Sequence, residues 1–155
     1  MRRVGGGTHW SLLAYLRGVE GADDAFLHFD SLGAANATAA NALAAAAAEA
    51  LGGPRAVAAA RNVRHDPPGT PRQTNGYDCG VYVLEMADAV CDARHVVRDE
   101  RRMRESLRAI TPERVAARRA EMLALVERLA EEASCGARVR VRGRARAANE
   151  ALSPR

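Results

Sequence analysis

Cys79 is the residue in this sequence best placed to do covalent chemistry. A polar run, Gln73-Thr74-Asn75-Gly76-Tyr77-Asp78, leads into it, and apolar residues follow at once: Val81, Tyr82, Val83, Leu84, Met86, Ala87 and Val90. That pattern predicts a cysteine on the first turn of a buried helix, roughly residues 78–92. The N–H groups of a helix's first turn have no intrahelical partner and carry the positive end of its dipole. A thiol placed there is pushed toward thiolate, the form that attacks carbonyl carbon. Most free cysteines are small buried hydrophobes, and taken alone the stretch favours that reading. A nucleophile needs a base and a group that orients the base. His9 and Asp30 suit those two roles. The tetrahedral intermediate needs hydrogen-bond donors. The Cys79 N–H is one, and the side-chain amide of Gln73, six residues upstream, is a second. The order His, Asp, Gln, Cys is no objection, because triads are defined by geometry.

The elements expected around these residues bring distant positions together. Residues 9–16, His-Trp-Ser-Leu-Leu-Ala-Tyr-Leu, suit a buried strand. Residues 17–24 carry turn chemistry, and residues 25–30 read as a second strand closed by Ser31-Leu32-Gly33. Two strands joined by a short polar loop predict an antiparallel hairpin turning near Gly21. Antiparallel pairing then puts His9 and Asp30 at the same end. His28, His65 and His95 are rival bases; His28 shares the Asp30 strand but reads as structural. Asp23 and Asp24 rival Asp30 only weakly, since they fall in the turn.

The remaining elements follow from local rules. Residues 36–51 are mostly alanine and end at Gly52-Gly53-Pro54, which predicts a surface-lying helix with a sharp stop. Residues 56–63 read weakly as strand or loop. Three prolines and a glycine between His65 and Pro71 exclude regular structure there. Residues 98–108 suggest a short, charged, exposed helix. Thr111-Pro112-Glu113 is a helix start, with a capping hydroxyl, proline at the first position and an acid in the first turn. Val115, Met122, Leu125, Val126 and Leu129 mark one face of that helix, expected to pack on the core and to end near Ser134. Arginine then alternates with small residues at 138, 140, 142, 144 and 146. This reads as a solvated, disordered tail, with weak nucleic-acid contact as its sharper interpretation.

Composition bounds the answer. The 155 residues include 48% apolar and only 4% aromatic, with net charge +4 supplied nearly all by arginine. That is enough for one domain with a core. Cys79, Cys91 and Cys135 are too few and too badly spaced for a disulfide framework or a structural metal, so no metal and no cofactor are expected. A reducing compartment, cytoplasm or nucleus, is the natural inference. No apolar run reaches transmembrane length and no signal core follows Met1-Arg2-Arg3, so no membrane partner is expected.

The motifs, taken in order, resemble a known family. Gly7-Thr8-His9-Trp10-Ser11-Leu12-Leu13, His28-Phe29-Asp30-Ser31, Gln73-Thr74-Asn75-Gly76-Tyr77-Asp78-Cys79-Gly80-Val81-Tyr82-Val83, and Thr111-Pro112 with the Arg118-Arg119-Ala120-Glu121 helix are similar to the Ulp/sentrin-specific protease family, nearest its deneddylase branch. The likeness covers roughly residues 5 to 130. It implies an α+β, papain-like fold of the Ulp/adenain type: a small mixed sheet packed against a central Cys-bearing helix and a C-terminal helix. It implies a triad of His9, Asp30 and Cys79, with Gln73 lining the oxyanion hole and Trp10 over the substrate's C-terminal Gly-Gly. Expected partners are a ubiquitin-like modifier, Nedd-type first and SUMO-type next, and its conjugates, cullins among them, with the chain acting as a monomer. The organisation expected is a flexible remnant over 1–8, a protease domain over 9–134 and a basic tail over 135–155. Relatives carry a longer segment before the His-Trp motif, with a second tunnel tryptophan, whereas eight residues precede His9 here. An N-terminally shortened chain, and with it a catalytically impaired modifier-binding fragment, is therefore the alternative to an active protease. Acyl transfer ranks third.

Overall fold

The computed structural model describes residues 9–18, 23–95 and 100–151. The expected N-terminal remnant, the turn centre at Gly21 and the start of the charged helix at Arg98 lie outside them. The chain divides into two compact units, Met1–Val115 and Ala116–Arg155.

In the first unit β1 (Leu12–Leu16) pairs antiparallel with β2 (Ala25–Phe29), with Leu12 opposite Phe29 and Leu16 opposite Ala25. The hairpin is therefore as expected, with the first strand starting three residues later than residue 9. β3 (Arg64–His65) joins the other edge of β2 in parallel, giving a mixed sheet in the order β1-β2-β3. Two residues of pairing carry no periodic signal, which is why the stretch reads as irregular in sequence. Beyond it the chain turns through Asp66 at φ 54° and Gly69 at φ 99°.

Alternation along the strands sorts side chains to two faces. Leu12, Ala14, Leu16, Ala25, Leu27 and Phe29 join a core with Tyr82, Met86, Ala89 and Val90 of α3 (Cys79–His95). Leu13, Tyr15 and Phe26 face the other way, onto Ala44 and Ala48 of α1 (Ala37–Leu51) and Ala56 and Ala59 of α2 (Pro54–Arg61). The fold is α+β and papain-like, with the sheet covered on both faces. The second cover differs from expectation, since residues 56–63 read as strand or loop. Pro54, which looked like a terminator for α1, is also at the first position of α2, where its missing N–H costs nothing. Gly52 and Gly53, at φ 70° and 88°, supply the reversal between the two helices.

α4 (Glu100–Arg108) is charged, yet Leu107 is fully buried and Met103 packs beside it. Residues four apart on a helix share a face, so two apolar residues anchor an otherwise solvated element. α5 (Pro112–Ala151) starts as the sequence predicts: the Arg114 N–H donates to Thr111 Oγ1 at 3.3 Å. Arg114 Nε also donates to the buried Glu85 carboxylate of α3 at 2.5 Å. Of the expected apolar face only Val115 is buried in the core; Met122, Leu125, Val126 and Leu129 are exposed.

In the second unit α5 runs past Ser134 to Ala151, so the backbone is helical through positions 138–146. Alanine and arginine are both strong helix formers, and the interior glycines each cost only about 1 kcal/mol. Arg118–Glu121 and Arg128–Glu132 pair along its surface. Among the described residues no helix is long and apolar enough to cross a membrane.

Candidate active site

Three elements meet the sequence's candidate residues: the approach to β1, the end of β2 and the start of α3. His9 lies just ahead of β1, and Asp30 directly follows β2. The hairpin register brings them together, and His9 Nε2 lies 2.6 Å from Asp30 Oδ1. Asp30 is completely buried. Its Oδ1 also accepts the Leu32 N–H at 2.9 Å, and its Oδ2 accepts the Asn36 N–H at 3.0 Å. Burial pushes the carboxyl pKa up, but the hydrogen bonds from His9, Asn36 and Leu32, together with the His9 charge, outweigh it and hold the pKa below its usual value. With Nε2 committed to the carboxylate, Nδ1 is the imidazole nitrogen left for proton transfer.

The side chain of Asn36 fixes the same corner from the other side. Its Nδ2 donates to the His9 carbonyl at 3.1 Å and to Ser11 Oγ at 3.2 Å. His28, the buried rival base, uses Nε2 on Ser11 Oγ at 2.9 Å and Nδ1 against His65 Nδ1 at 3.0 Å. His65 Nε2 in turn meets Asn41 Oδ1 at 3.0 Å. Burial above all lowers the His28 pKa, and the Asp30 charge opposes that only partly. A neutral, fully engaged imidazole is a structural group, as its sequence context indicates. Its partner His65 carries no sequence signal, because a parallel strand pairing brings it there.

Cys79 opens α3 and is buried, on the same helical stripe as Tyr82 and Met86. The residues before it form a closed turn. Asn75 Oδ1 accepts the N–H groups of Tyr77 at 3.2 Å and Asp78 at 3.0 Å, while Asn75 Nδ2 donates to Asp78 Oδ2 at 2.6 Å. The Tyr82 N–H donates to the Asp78 carbonyl at 3.0 Å, which starts the helix. Gln73 is held by the residue after Asp30: its N–H donates to the Ser31 carbonyl at 3.0 Å, and Ser31 Oγ donates to its Oε1 at 2.5 Å. Arg72 donates from a guanidinium nitrogen to the Asp30 carbonyl at 2.7 Å, and Tyr82 Oη donates to the Arg72 carbonyl at 3.2 Å. The Arg72-Gln73 segment is thus bound to the end of β2 on one side and to α3 on the other. The end of β2 and the cysteine helix are therefore tied to one and the same stretch of backbone.

Trp10 and Tyr77 are both exposed, at 64% and 69%. A large aromatic left in solvent beside a polar corner is a candidate contact for a ligand. Sequence reasoning missed Ser31's grip on Gln73, Asn36 and Asn75 as site residues. They are polar residues in loops, where no periodicity marks them, although their side chains suit turns. Among the described residues no group of three or more His, Cys, Asp or Glu side chains is arranged to hold a metal ion.

The chain matches the Ulp1 protease family, C-terminal catalytic domain, over residues 4–130. It is 34% identical over 133 residues to sentrin-specific protease 8 of Mus musculus, covering 84% of this chain and 53% of that protein. It is 32% identical over 131 residues to NEDD8-specific protease 1 of Arabidopsis thaliana, covering 82% and 53%. A probable sentrin-specific protease 8 of Dictyostelium discoideum is 33% identical over 85 residues, covering 55% and 33%. The chain spans about half the length of the mouse and Arabidopsis relatives. With a family model matching residues 4–130 and relatives at 32–34% identity over more than four-fifths of its length, the chain belongs to the Ulp1 protease family.

Proposed function

We propose that the chain is a cysteine isopeptidase and C-terminal hydrolase that cleaves after the terminal Gly-Gly of a ubiquitin-like modifier, Nedd-type before SUMO-type. The observation that carries this reading is the His9 Nε2–Asp30 Oδ1 contact of 2.6 Å, with Asp30 buried and three times hydrogen-bonded. A histidine so oriented presents one defined nitrogen to a nucleophile. The names of the relatives, sentrin-specific and NEDD8-specific proteases, support a modifier as substrate.

In this reading His9 Nδ1 takes the Cys79 thiol proton, and the sulfur attacks the carbonyl carbon of the modifier's last glycine. The resulting oxyanion is held by the Cys79 N–H and Gln73 Nε2. Collapse breaks the C–N bond, and the imidazolium gives its proton to the leaving amine of a lysine side chain or of a precursor tail. His9 then deprotonates a water that attacks the thioester. The C–S bond breaks, the free carboxylate leaves and the thiol is restored. The exposed indole of Trp10, next in sequence to the base, would lie along the glycines and refuse a residue bearing a Cβ.

The test is labelling of Cys79 by a modifier carrying a C-terminal vinyl sulfone, alongside hydrolysis of modifier–aminocoumarin conjugates. Labelling that is lost in Cys79→Ala supports the reading, and the order of rates across a panel of modifiers names the substrate. A folded chain that resists labelling at neutral pH refutes it. Binding without turnover, unchanged by Cys79→Ala, would support instead a modifier-binding role.

A further inference from the structure

We infer that Ser31 is a positioning residue for oxyanion stabilisation, acting by fixing which way the Gln73 carboxamide faces. The inference rests on the reading of Gln73 as an oxyanion donor and adds the group that makes it one.

A glutamine amide has nearly the same shape in either orientation, yet the two are opposite electrically. With Nε2 toward the reacting carbonyl it donates; flipped, it presents a lone pair to a developing negative charge. Something must hold the donor face in place. Here the two ends have different partners. Nε2 lies 2.6 Å from the Asn75 carbonyl, which can only accept, and Oε1 lies 2.5 Å from Ser31 Oγ, which can donate. A flip would put oxygen against oxygen at Asn75. The Asn75 backbone is itself held by the turn its side chain closes on Tyr77 and Asp78. Nε2 carries two hydrogens, and Asn75 engages one. The other is left for an oxyanion.

Ser31 holds Gln73 at two points, because its carbonyl also accepts the Gln73 N–H at 3.0 Å. It is almost fully buried, so water competes poorly for these bonds. It also directly follows Asp30, so consecutive residues at the end of β2 orient the base and the oxyanion donor. The pairing of Ser31 with Gln73 spans 42 positions of sequence.

The test compares Ser31→Ala, Gln73→Ala and the double variant by two readouts. Hydrolysis of a modifier–aminocoumarin conjugate requires an oxyanion; alkylation of Cys79 by iodoacetamide displaces iodide at saturated carbon and does not. Removing one oxyanion donor costs on the order of 10²–10³ in kcat, and a donor left free to flip should cost roughly 10–100-fold. Ser31→Ala is expected to lower kcat by that factor with KM and the alkylation rate within twofold of the parent. In the Gln73→Ala background the same change should cost less than twofold, since nothing remains to orient. An equal fold-loss in both backgrounds, or a parallel loss of alkylation, overturns the inference and makes Ser31 a fold residue. If Gln73→Ala leaves kcat unchanged, the oxyanion reading of Gln73 has failed, and this inference with it. A chain that hydrolyses nothing is read by NMR of the Gln73 side-chain amide. Two distinct, slowly exchanging hydrogens that merge or exchange faster in Ser31→Ala support the positioning role. Identical spectra for that amide refute it.

Discussion

Asp30→Asn separates what the carboxylate does for the fold from what it does for the histidine. The carboxylate accepts three hydrogen bonds at zero exposure: His9 and Leu32 on Oδ1, and Asn36 on Oδ2. An amide of the same shape has one acceptor. With its oxygen at the Oδ1 position it keeps His9 and Leu32 but sets an NH2 against the Asn36 N–H. One charge-assisted bond, worth about 1.5–3 kcal/mol, becomes a donor facing a donor, a further 1–3 kcal/mol. Removing a buried charge returns part of that, leaving a net loss of about 2–4 kcal/mol. For a chain of this length the melting temperature should fall by roughly 6–12 °C at pH 7. The sign with pH is defined. The folded carboxyl pKa is held below 3.8, so its contribution is present above that value and lost as pH falls through the folded pKa. Parent and variant should therefore converge in acid. Turnover of a modifier conjugate should drop roughly 10²–10⁴-fold, because a neutral amide no longer stabilises the imidazolium. Thermal melts at pH 7 and below pH 3.8, with conjugate hydrolysis at pH 7, measure all three. A melting temperature within about 2 °C of the parent at pH 7 would mean the Asp30 network does not hold this corner together.

Leu107→Ala should destabilise by about 2–5 kcal/mol, since Leu107 is fully buried on an otherwise charged helix; urea denaturation reads this, with Arg101→Ala changing it by less than about 0.5 kcal/mol. Gly69→Ala should cost about 1–3 kcal/mol in the same assay, because φ is 99° and a Cβ would meet the Arg104 carbonyl oxygen at 2.9 Å. His28→Gln should flatten the loss of stability between pH 7 and pH 5. The folded His28 pKa lies below its usual 6.5, so the parent loses stability as pH falls from 6.5 through the folded pKa, while a glutamine there cannot take up the proton. Melts across that range decide it, and equal slopes would remove His28 as the acid-sensitive group.

The hairpin was legible because two apolar runs and a turn determine an antiparallel register, and that register carries His9 to the Asp30 end. The cysteine helix was legible from its polar approach and apolar run. The second cover of the sheet was not, because Pro54 serves both as a stop and as a first helical residue, and sequence alone favours the stop. Leu107 was hidden among charges, where two apolar residues four apart make only a faint period. The outer part of α5 misled in the opposite sense: Met122, Leu125, Val126 and Leu129 have helical spacing, but that pattern says which residues share a face and not whether anything covers it. Ser31, Asn36 and Asn75 escaped because their roles depend on contacts between loops.

The alanine layer behind the sheet inverts the usual sensitivity of a protein interior. Ala40, Ala44, Ala48, Ala56 and Ala59 are all buried, and Ala44 is wholly inaccessible. None has a side chain whose loss would open a void, so truncation offers little to measure. Growth is another matter: one or two added carbons force the helices away from Phe26 and the strand beneath it, at about 1–3 kcal/mol for each substitution. The commonest single-base changes of an alanine codon, to valine and threonine, are additions of this kind. A saturation scan should therefore show α1 as a periodic ladder, tolerant of almost anything on its wet side and, every third or fourth position, of little beyond glycine and serine.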